Sequence, residues 1–270
     1  MQFTTPISIP RSPRPITYSD RILMLGSCFA DNIARKLGEY YFRVTSNPTG
    51  TLYNPVSVAR HLDLLSDHDV ALITFGTAWV YEDRQTGQVV DNCQKRPAAD
   101  FIRRRLSVDE IVELWQPLLE RYANKRFVFT VSPIRHAKDG LHENQLSKSV
   151  LLLALERLTT NAPCQTTNDQ RQTTYFPSYE IVLDELRDYR YYGADMYHPS
   201  ETAVDYIFER FADTFLYEKE TQEAMRSLHQ LYLDRQHRPL HPDSDDYRRF
   251  IARTECLARE LRRRFPWLLS

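Results

Sequence analysis

Two short segments carry side chains whose types and order suit acyl-transfer chemistry. In Gly26-Ser27-Cys28-Phe29-Ala30 an apolar run ends and a helical pattern begins. A small residue followed by serine at such a turn exposes a hydroxyl above the carboxyl edge of a sheet, beside helix N–H groups that stabilise an oxyanion. The plain reading of the same pair is an N-capping serine. In Asp195-Met-Tyr-His198-Pro-Ser200 an Asp precedes a His by three residues on a loop. That spacing lets a carboxylate orient the imidazole and stabilise its positive charge while the ring takes a proton from a serine. Here the plain reading is a helix start capped by Ser200. Cys28 is a rival nucleophile, because thiols at helix N-termini are activated; a tight turn directs it away from Ser27, into packing between sheet and helix.

Positioning these groups takes strands and helices in alternation. Arg21–Leu25 is a compact apolar run that stops at Gly26, as a buried parallel strand does, and Ile33, Leu37, Tyr40 and Tyr41 follow at helical spacing. The pattern predicts a second strand over 42–45, a helix over 56–65 and a third strand over 69–75 that ends at Gly76. It predicts a hairpin over 80–90 turning at Thr86-Gly87. Ser107-x-x-Glu110 is a capping box that opens a helix, with Pro117 inside it as the place for a kink. A fourth strand follows over 126–131, then a helix over 145–158 and a fifth strand near 173–178. This alternation implies a parallel sheet with helices on both faces. Beyond about residue 200 only helical patterns occur, starting at Ser200-Glu201, at 219 and at Ser244.

The 270 residues carry 35 Lys+Arg against 36 Asp+Glu, with 42% hydrophobic residues. That balance is a globular one, without a global field for nucleic acid or an anionic membrane. Arg103–Arg105 and Arg262–Arg264 read as solvated helix faces. Cys28, Cys93, Cys164 and Cys256 lie far apart and form no zinc signature or disulfide scaffold. The first residues are rich in proline without an apolar signal core, and no uncharged apolar stretch is long enough to cross a bilayer, so the expected location is cytoplasmic. Glycine is scarce, 7 residues, so each marks a backbone need. Gly26, Gly50 and Gly76 fall at the ends of successive strand candidates, and Gly193 just before Asp195.

In order, the two segments resemble the SGNH/GDSL hydrolase superfamily, where the serine follows the first strand and a late Asp-x-x-His completes a triad. Gly26–Ala30, Asn47-Pro-Thr-Gly-Thr-Leu-Tyr-Asn-Pro55, Gly76-Thr-Ala-Trp-Val-Tyr81, Ser132-Pro-Ile-Arg-His136 and Asp139-Gly-Leu-His-Glu-Asn144 join Asp195–Ser200 in looking like the GSCFA domain family. The resemblance implies a three-layer α/β/α SGNH-hydrolase-like fold with a parallel central sheet and a C-terminal helical extension. A Pro-rich arm would cover 1–20, the α/β domain 21–217, and the extension, packed on the core, 218–270. It implies Ser27 as nucleophile, His198 as base and then acid, and Asp195 as its orienting partner, with no cofactor and no metal. The implied oxyanion hole draws on the N–H of Ser27 or Cys28, on Gly50 and Gly76, and on an asparagine after the third strand. That block reads Gly76-Thr77-Ala78-Trp79 and lacks the asparagine. Asn47, Asn54 or Asn92 could supply an amide from another loop, or Arg135 a positive charge. Gln94 stands where the family has a histidine, and the segment Asn92–Lys95 is given no part in the chemistry.

Asn54, Thr77, Trp79, Arg135, His136 and Tyr197 are the expected substrate-pocket residues. His136, Asp139, His142 and Asn144 follow the fourth strand at a spacing that matches no zinc pattern. His61, His68, His229, His237 and His241 read as surface or helix-end residues. Tyr189, Tyr191, Tyr192 and Tyr197 surround the Asp-x-x-His segment, where aromatic faces suit sugar rings as well as packing. The expected activity is removal of acetyl or other short acyl groups from a carbohydrate or related ester. The alternatives are a non-catalytic module that binds an acylated glycan or a protein, and an acyltransferase with the same triad. No nucleic-acid or membrane partner is expected, and the helical tail offers a homodimer surface or a lid.

Overall fold

A computed structural model describes residues 4–91, 96–160 and 173–266, apart from the side chain of Asp139. Asn92, Cys93, Gln94, Lys95 and Cys164 lie outside the described residues.

The apolar runs become parallel strands: β1 (Arg21–Gly26), β2 (Arg43–Ser46), β3 (Val70–Phe75), β6 (Arg126–Val131) and β7 (Thr173–Tyr175), in the spatial order β2-β1-β3-β6-β7. This is a doubly wound order whose direction reverses between β1 and β3, so a crevice opens at their carboxyl ends. Side chains alternate across each strand. Ile22, Met24, Val70, Leu72 and Val128 therefore join one core, and Leu23, Leu25, Ala71, Ile73, Phe127 and Phe129 join the other.

The helices divide between these two cores. On the second face lie α2 (Pro55–Ala59), α3 (Val108–Arg121) and α4 (Leu141–Thr160), which contribute Val58, Trp115 and Leu151. On the first lie α1 (Cys28–Glu39) and α6 (Glu201–Phe215). A short helix α5 (Ser178–Glu180) runs into a π-helical turn over Ile181–Leu186. The tail folds as α7 (Lys219–Gln236) and α8 (Asp245–Arg264), whose Leu228, Leu231 and Leu261 bury in the same cluster as Ile33 and Leu37 of α1. The proline-rich arm is held by Ser12 N–H on Thr214 O (2.9 Å) and Ile16 N–H on Phe215 O (2.7 Å). The capping box of Ser107 and Glu110 starts α3 as its sequence requires.

Three local readings differ from the fold. The strand over Trp79–Asp83 (β4) pairs antiparallel with β5 (Phe101–Arg105) through five residue pairs, while across the nearer turn Glu82 bridges Val89, Asp83 N–H donates to Gln88 O (2.9 Å) and Val90 N–H to Tyr81 O (2.8 Å). Cross-strand contacts favour the distant partner: Arg104 reaches Glu82 at 2.6 Å, and the Arg103 guanidinium lies 3.7 Å from the centre of the Trp79 ring. Arg103–Arg105 are thus strand residues rather than a helix face. The helix over 56–65 breaks after Ala59 and resumes as a 3-10 turn over Leu62–Asp67.

Candidate active site

Ser27 stands at the reversal point of the sheet. Gly26 has φ +136°, and a Cβ there would lie 2.0 Å from Thr74 O, so β1 and β3 approach closely only because this residue is glycine. Ser27 N–H then donates to Thr74 O at 3.1 Å, while Ser27 Oγ caps α1 by accepting from Phe29 N–H at 3.3 Å. Ser27 is fully buried.

The Asp195 loop is a tight, self-bonded turn. Asp195 Oδ1 accepts from the N–H groups of Tyr197 (2.9 Å) and His198 (3.0 Å), and Oδ2 lies 2.5 Å from His198 Nδ1. These bonds, the His198 and Tyr197 N–H groups foremost, hold the Asp195 carboxyl down at about 2. A carboxylate on Nδ1 leaves Nε2 as the nitrogen available for proton transfer. Met196 takes φ 61° to close the turn, and Arg135 N–H donates to Tyr197 O (3.1 Å), tying this loop to the one after β6.

One cavity of about 810 Å³ is lined by both Ser27 and His198. Asn54, Thr77, Trp79, Arg135, His136 and Tyr197 line it too, as do Cys28, Tyr53 and Tyr81. No hydrogen bond joins His198 to Ser27 Oγ, whose bond is to Phe29 N–H. Cys28 faces this cavity as well as the apolar cluster, so the turn does not direct it into packing alone. Among the described residues, none of α7 or α8 lines the cavity.

The expected oxyanion donors are mostly engaged elsewhere. The Ser27 N–H is taken by Thr74 O, and the Gly76 N–H by Tyr53 O at 2.9 Å. The Gly50 N–H closes a turn on Asn47 O (2.8 Å), and Gly50 does not line the cavity. Asn47 accepts from Gly26 N–H (2.9 Å) and donates to Asp31 (3.0 Å), which uses both ends of its amide. Arg135 packs over the Tyr192 ring, 4.2 Å from its centre. Cys28 N–H, first in α1, has no partner among the described residues, and Asn54 spends only its Oδ1, on Ser57 N–H (2.9 Å). These two remain open to a ligand.

Sequence reading missed Lys148. It is buried on α4, and Nζ donates to Gly76 O (2.6 Å) and Ser132 O (2.7 Å), the residues that directly follow β3 and β6. Burial pushes its ammonium down to about 7. Beside it Ser147 Oγ accepts from Ala78 N–H (2.8 Å), so α4 pins the Gly76–Trp79 loop. The available signal was a lysine sharing the helix face of Leu151 and Leu155, a buried stripe at i, i+3 and i+7. Among the described residues no group of three or more His, Cys, Asp or Glu side chains is placed to hold a metal ion.

The GSCFA family model matches residues 21–68 and 63–211. The chain belongs to the GSCFA family. No curated protein matches this GSCFA chain. Among solved structures, a catalytic mutant of an acetylxylan esterase from Geobacillus stearothermophilus is similar at 10% identity, covering 76% of this chain and 97% of that one, with a TM-score of 0.47. A GDSL-like lipase from Bacteroides thetaiotaomicron is similar at 12% identity, covering 73% and 92%, with a TM-score of 0.42. The strand order above describes the fold of the GSCFA chain independently of these likenesses. No helix among the described residues is long and apolar enough to cross a membrane.

Proposed function

We propose that this GSCFA chain is a serine-dependent acyl-ester hydrolase with Ser27, His198 and Asp195 as its triad. The observation that carries the reading is that Ser27 and His198 line one cavity while Asp195 engages His198 Nδ1 at 2.5 Å. Ser27 Oγ attacks the ester carbonyl and passes its proton to His198 Nε2. The tetrahedral oxyanion takes the Cys28 N–H, the α1 terminus adding its dipole. Collapse expels the alcohol, protonated by His198, and water that His198 activates releases the acyl group. The serine–histidine contact tightens when substrate displaces Ser27 Oγ from its cap, as catalytic hydrogen bonds commonly do.

The preferred substrate is a short acyl ester of a carbohydrate. Tyr53 and Tyr197 are exposed at the cavity, with Trp79 and Tyr81 also in its wall, a set of flat faces suited to sugar rings. The volume suits a small acylated saccharide. Transfer of the acyl group to an acceptor sugar uses the same steps with a hydroxyl in place of water.

The full burial of Ser27 favours a second reading, a module that binds an acylated glycan without turnover. Turnover of p-nitrophenyl acetate and labelling by a fluorophosphonate probe separate the two. Ser27→Ala is expected to abolish both and Cys28→Ala to keep both. Loss with the cysteine change alone would make Cys28 the nucleophile, and no turnover or labelling in the unaltered protein would leave the binding module.

A further inference from the structure

We propose that His136 is a catalytic residue of this site, its Nε2–H donating to the oxyanion formed when Ser27 attacks an ester carbonyl. The inference rests on the hydrolase reading and adds a donor where the loop Gly76-Thr77-Ala78-Trp79 has no side-chain amide. Position comes first. A Cβ at Gly76 would lie 3.0 Å from His136 Nε2 and 3.4 Å from Ser27 Cβ, so Gly76 leaves the space through which ring and nucleophile face each other. His136 Nε2 is buried and has no hydrogen-bond partner. An orphaned buried polar atom of this kind costs about 1–3 kcal/mol, and one against a ligand cavity is where a ligand atom completes it.

The ring is held in place by its surroundings. His136 N–H donates to Asn144 Oδ1 (2.9 Å), and the Tyr53 ring stands edge-on at 5.9 Å. Lys148 ties Gly76, which lies against the ring, to Ser132. Burial, followed by the charges of Lys148 and His198, pushes the imidazole down to about 3. A neutral ring carries one N–H and can polarise a carbonyl without surrendering a proton, and a ring so hard to protonate is a poor proton acceptor near neutrality. An oxyanion donor sits about 2.7–3.1 Å from the carbonyl oxygen rather than on the serine hydroxyl.

In the step itself the Ser27 Oγ–carbon bond forms, the carbonyl π pair moves onto oxygen, and the serine proton goes to His198. His136 keeps its proton and shares it with the oxyanion alongside the Cys28 N–H. On collapse the carbonyl re-forms, the ester C–O bond breaks, and His198 protonates the leaving alcohol.

The test is steady-state turnover of p-nitrophenyl acetate by the full chain, His136→Phe and His136→Gln, with melting temperature and pH–rate profile for each. His136→Phe fills the space without a donor and is expected to lower kcat by about 10²–10³-fold, with KM and the profile's shape unchanged. His136→Gln, whose amide reaches the place of Nε2, is expected to recover at least about tenfold of that loss. A folded Phe variant within about threefold of the unaltered protein overturns the proposal. So does equal loss in both variants at unchanged melting temperature, and so does a displaced acidic limb, which would make His136 the proton acceptor. An unaltered protein with no turnover and no labelled Ser27 overturns the hydrolase reading and this one together; intact turnover in His136→Phe overturns this one alone.

Discussion

Lys148 sits in an environment that opposes its charge. Folding takes the ammonium out of water with two carbonyls as acceptors and no carboxylate, and brings it from its ordinary 10.5 down to about 7. The unfolded chain therefore binds the extra proton between about 7 and 10.5, and stability rises with pH across that window. Below about 7 both states are protonated and the full penalty stands. Against Lys148→Met, the unaltered protein should gain about 1.4 kcal/mol per pH unit between pH 7 and 10, read from urea unfolding. A difference that stays flat with pH would mean the buried amine keeps its proton. The local bonds of Asp195 act oppositely, keeping its carboxylate ionised down to about 2, so the acidic limb of any activity profile belongs to another group.

At the scale of elements, the junction of β1, β3 and α1 carries the geometry. Ser27 is where it is because Gly26 lets β1 pass within contact of Thr74 O. Gly26→Ala would put a methyl 2.0 Å from that oxygen and would hold a non-glycine residue at φ +136°. The backbone strain alone costs about 1–3 kcal/mol, and the overlap adds to it, so a lower melting temperature and slower labelling of Ser27 are expected. Gly38 is the control. Nothing lies within 4 Å of its absent Cβ in α1, so Gly38→Ala should stabilise by about 0.5–1 kcal/mol and leave labelling alone. The hairpin shows the opposite case, in which a local turn signal at Thr86-Gly87 is real but the strand's main partner lies beyond it.

The whole molecule is two cores about one sheet, and the tail belongs to one of them. Met225, Leu228 and Leu231 of α7 and Ala258 and Leu261 of α8 share a cluster with α1, β1 and the arm residues Ile16 and Tyr18. His229 of α7 stacks on Tyr40 with ring centres 4.4 Å apart. Removing 218–270 would bare that side of α1. A chain ending at 217 is expected to melt lower and to bind a hydrophobic dye, checked by thermal unfolding and dye fluorescence; an unchanged melting temperature would make the tail an independent appendage.

Much of this molecule is written in local pattern. The parallel strands, the caps at Ser27, Ser107 and Ser200, and the order Ser27, Asp195, His198 follow from apolar periodicity, turn glycines and an Asp-x-x-His spacing, because those signals act over a few residues. Which donors remain free is another matter. The Ser27 and Gly76 N–H groups are claimed by Thr74 and Tyr53, residues that only folding brings near. Burial, too, is a property of the packed whole: it turns Lys148 from a helix-face lysine into a clamp between two strand ends, and His136 from a polar loop residue into a neutral ring beside the serine. The sequence by itself determined where the chemistry could stand. The tertiary structure alone decided which hydrogen bonds are left for a substrate, because each bond made within the fold removes a donor from the site.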